Sequence, residues 1–77
     1  MTGDIGTDYL PGMKLTTGQR IRALRKKRKL TQDELAVAAQ VGQATISEWE
    51  TDRRRPGKRL LALLSKALGV KPERIVS

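Results

Sequence analysis

The chain has 77 residues, with 16 Lys and Arg against 8 Asp and Glu, for a net charge of +8. It contains neither Cys nor His, which excludes disulfides, thiolate metal sites and imidazole acid–base or zinc chemistry. Hydrophobic residues make up 38%, enough for one small core, and no apolar run exceeds that of Leu60 to Leu64, far short of a membrane span. Neither an enzyme nor a cofactor site is expected, because no acid–base or nucleophilic set is present.

Residues 1–15 mix Gly, Thr, Asp and Pro with no apolar period, and this stretch reads as a loosely packed leader. It lacks a basic region followed by an apolar one, so no secretory signal is expected and the cytoplasm is the expected location. Residues 16–77 read as one domain. Thr16 with Gln19 fits a capping box, and Ile21 and Leu24 follow at helical spacing, which predicts a helix over 17–29. Thr31 with Glu34 is a second capping box, opening a short helix over 32–39 whose inner stripe is Leu35, Ala36 and Ala39. Gln40-Val41-Gly42 interrupts it, and helical period resumes at Gln43 with Ile46 and Trp49 facing inward. A polar loop spans 52–55, and Pro56 suits the first turn of the next helix. That helix carries Leu61, Leu64 and Leu68 and ends at Gly69, and a last short turn runs from Lys71 to about Val76. No segment alternates with period two, so the expected class is all-α.

Charge is concentrated rather than spread. Residues 20–29 hold seven cations and no acid, and residues 53–59 hold five more and no acid. Like charges packed so closely oppose folding unless an external polyanion compensates them. Between the two clusters lies a pair of short helices joined by three residues, the pattern of a helix-turn-helix. On a helical wheel Gln43, Ala44, Ser47 and Glu48 share the outer face of its second helix. Small polar side chains that reach base edges, flanked by cations that hold phosphates, are what a major-groove reader of double-stranded DNA requires. The candidate phosphate clamp is Arg53, Arg54, Arg55 and Lys58, with Arg22 as a further candidate.

The outer-face residues differ in how they can act. Ala44 either touches a thymine methyl or is simply small enough to let the helix approach. Ser47 suits a base or a phosphate. Glu48 either accepts from cytosine N4 or pairs with a neighbouring arginine and repels phosphate. Leu60 and Leu63 lie off the main stripe, where they either cover Tyr9 and Leu10 of the leader or form a contact between copies. An exposed Leu60/Leu63 edge also fits an accessory or antitoxin module that holds a protein partner.

The runs R-I-R-x-L-R from Arg20, L-T-Q-x-E-L-A from Leu30, T-I-S-x-W-E from Thr45, and L-S-K-A-L-G-V from Leu64 resemble the Xre/Cro-like family of phage repressors and their bacterial relatives. The resemblance covers roughly residues 18–76. It implies a five-helix, lambda-repressor-like domain that binds a pseudo-palindromic operator as a homodimer and regulates transcription, most often as a repressor. By this resemblance Gln32 binds a phosphate and supports Gln43, the first reading residue, and Arg25 and Glu50 form an ion pair. Two departures stand out. The turn position usually occupied by Gly is Gln40 here, and the cap of the reading helix is Gly42 instead of Ser, Thr or Asn.

Overall fold

The computed structural model describes residues 15–76, and the expected leader up to residue 14 lies outside them. Two capping boxes set the first two helices. The Thr16 hydroxyl accepts from the Gln19 amide at 3.1 Å while the Thr16 amide donates to Gln19 Oε1 at 2.9 Å, opening α1 (Thr17–Lys27). Thr31 and Glu34 repeat the arrangement at 3.0 and 2.8 Å, opening α2 (Gln32–Ala39). Then follow α3 (Gln43–Glu50), α4 (Lys58–Leu68) and α5 (Glu73–Val76). All five elements among the described residues are helical, as the sequence leads one to expect.

The four longer helices end in one way. In each, a residue with left-handed backbone follows the last turn: Lys29 (φ 59°), Gln40 (φ 62°), Asp52 (φ 61°) and Gly69 (φ 69°). The next amide then reaches back five residues: Leu30 to Arg25, Val41 to Ala36, Arg53 to Glu48 and Val70 to Ser65, at 2.9–3.1 Å. This is the Schellman closure, in which two backward bonds satisfy orphan carbonyls. Glycine normally occupies the left-handed site, because a Cβ there costs about 1–2 kcal/mol. Only one of the four is glycine. After Lys29 and Gln40 the next residue, Leu30 or Val41, packs against the core, and that contact offsets the strain; Val70 packs there too, after the unstrained Gly69, whereas Arg53 after Asp52 is exposed.

The first closure corrects the expected extent of α1. The helix stops at Lys27 instead of continuing through Lys29, because Leu30 must turn inward. Pro56 is a second correction. It stands outside α4, whose cap is the extended Gly57 (φ −71°, ψ 173°), so the proline ends the preceding loop and does not enter the helix.

One core joins the five helices. Ile21 from α1, Leu35 and Ala39 from α2, Ile46 and Trp49 from α3, Leu64 and Leu68 from α4 and Ile75 from α5 are all buried. The central element is α2, which packs against α3 and α4, while α1 packs against α3 and α5. At the Leu60/Leu63 edge both residues are half-buried, and Leu60 packs on the core together with Leu61. Val37, at 79% exposure, is instead the large apolar side chain left in the open on α2.

Candidate nucleic-acid interface

The reading helix is held from behind by a path of hydrogen bonds that begins in the interior. Arg25 on α1 and Glu50 on α3 are buried and pair through two bonds, Nε to Oε2 at 2.6 Å and an Nη to Oε1 at 3.1 Å. Arg25 also donates to the Leu30 carbonyl at 2.8 Å, so the pair is fixed at both ends. Glu50 Oε1 accepts a further bond from Gln32 Nε2 at 3.1 Å. Gln32 Oε1 in turn accepts from Gln43 Nε2 at 2.8 Å. Three helices are thereby joined by four side chains, from the buried ion pair out to an exposed glutamine. A buried pair of this kind is weak evidence of net stability, but it fixes orientation.

Gln43 and Ala44 are exposed, Ser47 and Glu48 are half-buried, and Ile46 and Trp49 point inward, so α3 keeps the two faces that its sequence predicts. Gly42 caps the helix without a side-chain bond. The Gln43 amide nitrogen carries two hydrogens, of which Gln32 takes one, leaving a donor beside the acceptor oxygen at the exposed end.

The far end of α3 leads into the arginine loop. The amides of Arg53 and Arg54 both donate to the Glu48 carbonyl, at 2.9 and 3.3 Å, and so wrap the loop over that residue. The side chains follow, with Arg54 Nε 3.6 Å from Glu48 Oε1. Arg53, Arg54, Arg55 and Lys58 are exposed, as is Arg22 on α1. Arg55 donates to the Thr17 hydroxyl at 3.3 Å, which ties the loop to the start of α1. Among the described residues, Arg22 and Lys58 make no bond to the rest of this set.

A second tie was not anticipated from sequence. The Asp52 carboxylate accepts from the Thr16 hydroxyl at 2.6 Å and from the Gly18 amide at 2.9 Å. Gly18 is buried so closely that a Cβ would stand 2.3 Å from the Trp49 carbonyl oxygen and 2.7 Å from that of Glu50. The start of α1 and the end of α3 therefore touch backbone to backbone. A glycine in the first turn of a helix was the available signal, since alanine there would favour the helix by about 0.5–1 kcal/mol.

A profile of the helix-turn-helix family matches residues 21–75. The chain belongs to this family, in its Cro/C1-type branch. It is 42% identical over 62 residues to the immunity repressor protein of Bacillus phage phi105, covering 80% of this chain and 43% of that protein. With the HTH-type transcriptional regulator DicA of Escherichia coli K12 it shares 41% identity over 58 residues, 75% of this chain and 43% of the relative. The chain thus spans less than half the length of these relatives. Among solved structures, the P22 c2 repressor in complex with synthetic operator 9T superposes with a TM-score of 0.80 at 38% identity, over 83% of this chain and 97% of that one. The expected lambda-repressor-like helix-turn-helix fold is thereby established.

Proposed function

We propose that this domain is a sequence-specific regulator of transcription, acting as a repressor, that lays α3 in the major groove of double-stranded DNA. The observation that carries the reading is the bonded path from the buried Arg25–Glu50 pair through Gln32 to Gln43. A base-reading amide needs a fixed orientation, and here it is anchored in the core. Gln43 then pairs with adenine N6 and N7, Ala44 and Ser47 lie along the groove floor, and Gln32, Arg22, Arg53, Arg55 and Lys58 hold phosphates. The phage and bacterial regulators matched above, and the operator complex among the structural neighbours, support the same assignment.

Eight residues of α3 span about 12 Å, enough for only about four or five base pairs. The domain extends 33 × 22 × 22 Å, which suits one half-site. Useful specificity then requires a homodimer on a pseudo-palindrome with half-sites about 34 Å apart. Such a protein acts in the cytoplasm and uses neither cofactor nor catalysis. The accessory-module alternative rests on Leu60 and Leu63, which are half-buried, with Leu60 packed on the core.

Selection of bound duplexes from a random pool tests the reading. A recovered consensus with two inverted half-sites one helical turn apart supports it, whereas recovery of unrelated sequences removes it. In the same assay Gln43→Ala should relax the preference at one base step, by about 1–3 kcal/mol of discrimination, and leave the others in place.

A further inference from the structure

We propose that Glu48 and Arg54 form one specificity device, an ion pair that opens only on a suitable base edge and thereby couples base reading to a phosphate contact. The inference rests on the reading that α3 faces the major groove.

Two independent features place the pair. The loop amides of Arg53 and Arg54 both bond to the Glu48 carbonyl, so backbone geometry brings Arg54 back over the outer face of α3. The guanidinium then stands 3.6 Å from the carboxylate, with side-chain exposures of 74% and 42% for Arg54 and Glu48. At the other Schellman closures the corresponding residue is Leu30, Val41 or Val70, each turned to the core. Here it is Arg53, and the loop stays on the surface.

Glu48 is the one acid on an outer face otherwise made of Gln43, Ala44 and Ser47. A carboxylate only accepts hydrogen bonds. In the major groove it is satisfied by cytosine N4 or adenine N6, and it is repelled by guanine O6 and N7 and by thymine O4. Facing a donor edge, Glu48 exchanges Arg54 for the base at little loss, and Arg54 is released to a phosphate. Facing an acceptor edge, Glu48 keeps Arg54, and the phosphate contact is not made. An exposed pair is weak enough to exchange in this way. A free clamp residue weakens all sequences alike when removed, whereas a paired one does not.

The test measures affinity over about 50–200 mM salt for the wild type, Glu48→Gln and Arg54→Ala. Three duplexes are used: the selected operator, that operator with the base pair under Glu48 exchanged, and a random sequence. That base pair is the position at which E48Q loses its preference. For the wild type, the exchange should lower affinity and flatten the log–log salt slope by about 0.9, the value of one phosphate. E48Q should bind the random duplex up to about fivefold more tightly, with a slope steeper by about 0.9. R54A should lose about 0.9 of slope on the operator and change random binding by about twofold or less.

Equal weakening of operator and random duplex by R54A overturns the proposal. So does random binding by E48Q with unchanged affinity and slope, or an E48Q preference unaltered at every position. If the wild type prefers its operator but these slopes do not differ, the coupling alone fails. If it shows no preference at all, groove reading and coupling fall together.

Discussion

The reading helix carries two glutamates two residues apart, and each meets an arginine in a different environment. Glu50 and Arg25 pair at 2.6 Å with side chains 3% and 11% exposed, while Glu48 and Arg54 stand 3.6 Å apart with side chains 42% and 74% exposed. The chemistry is the same and the consequences are opposite. In the interior neither charge has water to fall back on, so the pair behaves as a fixed joint, and two further groups, Gln32 and the Leu30 carbonyl, complete it. On the surface each charge can return to water or to another ion, so that pair is exchangeable. One end of the helix turn is thereby locked to the core and the other left free to respond to DNA.

The contrast breaks most visibly at Glu50. Glu50→Ala strands a buried guanidinium and removes the acceptor of Gln32, so stability should fall by about 3–5 kcal/mol. For a small domain that is a large part of the total, and a urea titration should show a greatly lowered midpoint. A shift under about 1 kcal/mol would mean that water reaches the pair and that the joint is not a joint. Next in size is Gly18→Ala, which forces a methyl against the Trp49 and Glu50 carbonyls. Overpacking of this kind should lower stability by about 1–3 kcal/mol in the same titration and spread α1 from the end of α3. The smallest effect belongs to the outer pair. Glu48→Gln should change stability by less than about 0.5 kcal/mol in urea, since an exposed ion pair contributes little. A larger loss there would erase the distinction between the two pairs.

What could be read from the residues was local. Both capping boxes join positions three apart, and the chain itself brings those atoms together, so Thr16, Gln19, Thr31 and Glu34 stand where expected. The inward placement of Ile46 and Trp49 followed from helical period alone. The left-handed turns were only partly visible. Gly69 and Gln40 were marked by residue type or by family pattern, and Asp52 is a type that tolerates this backbone, but Lys29 carries no such mark and adopts it too. Its conformation is imposed by the residues around it, most plainly by Leu30, which the core draws inward. Pro56 was misplaced because a fixed φ suits the residue before a helix as well as its first turn.

The candidate site divides in the same way. The outer face of α3 and the two cation clusters are properties of composition and period. The Arg25–Glu50 pair came through family resemblance, since nothing local links residues twenty-five apart. The Asp52 tether to Thr16 and Gly18 spans more than thirty positions and was not seen at all.

By itself the sequence determined helices, caps, an inner stripe and a strongly basic surface, because each of these arises between neighbours on one turn or from summed charge. Only the tertiary structure decided which of two glutamates two residues apart becomes a buried joint and which a solvent-facing, exchangeable partner. That choice depends on the dielectric around each carboxylate, and the dielectric is set by residues brought together from distant parts of the chain.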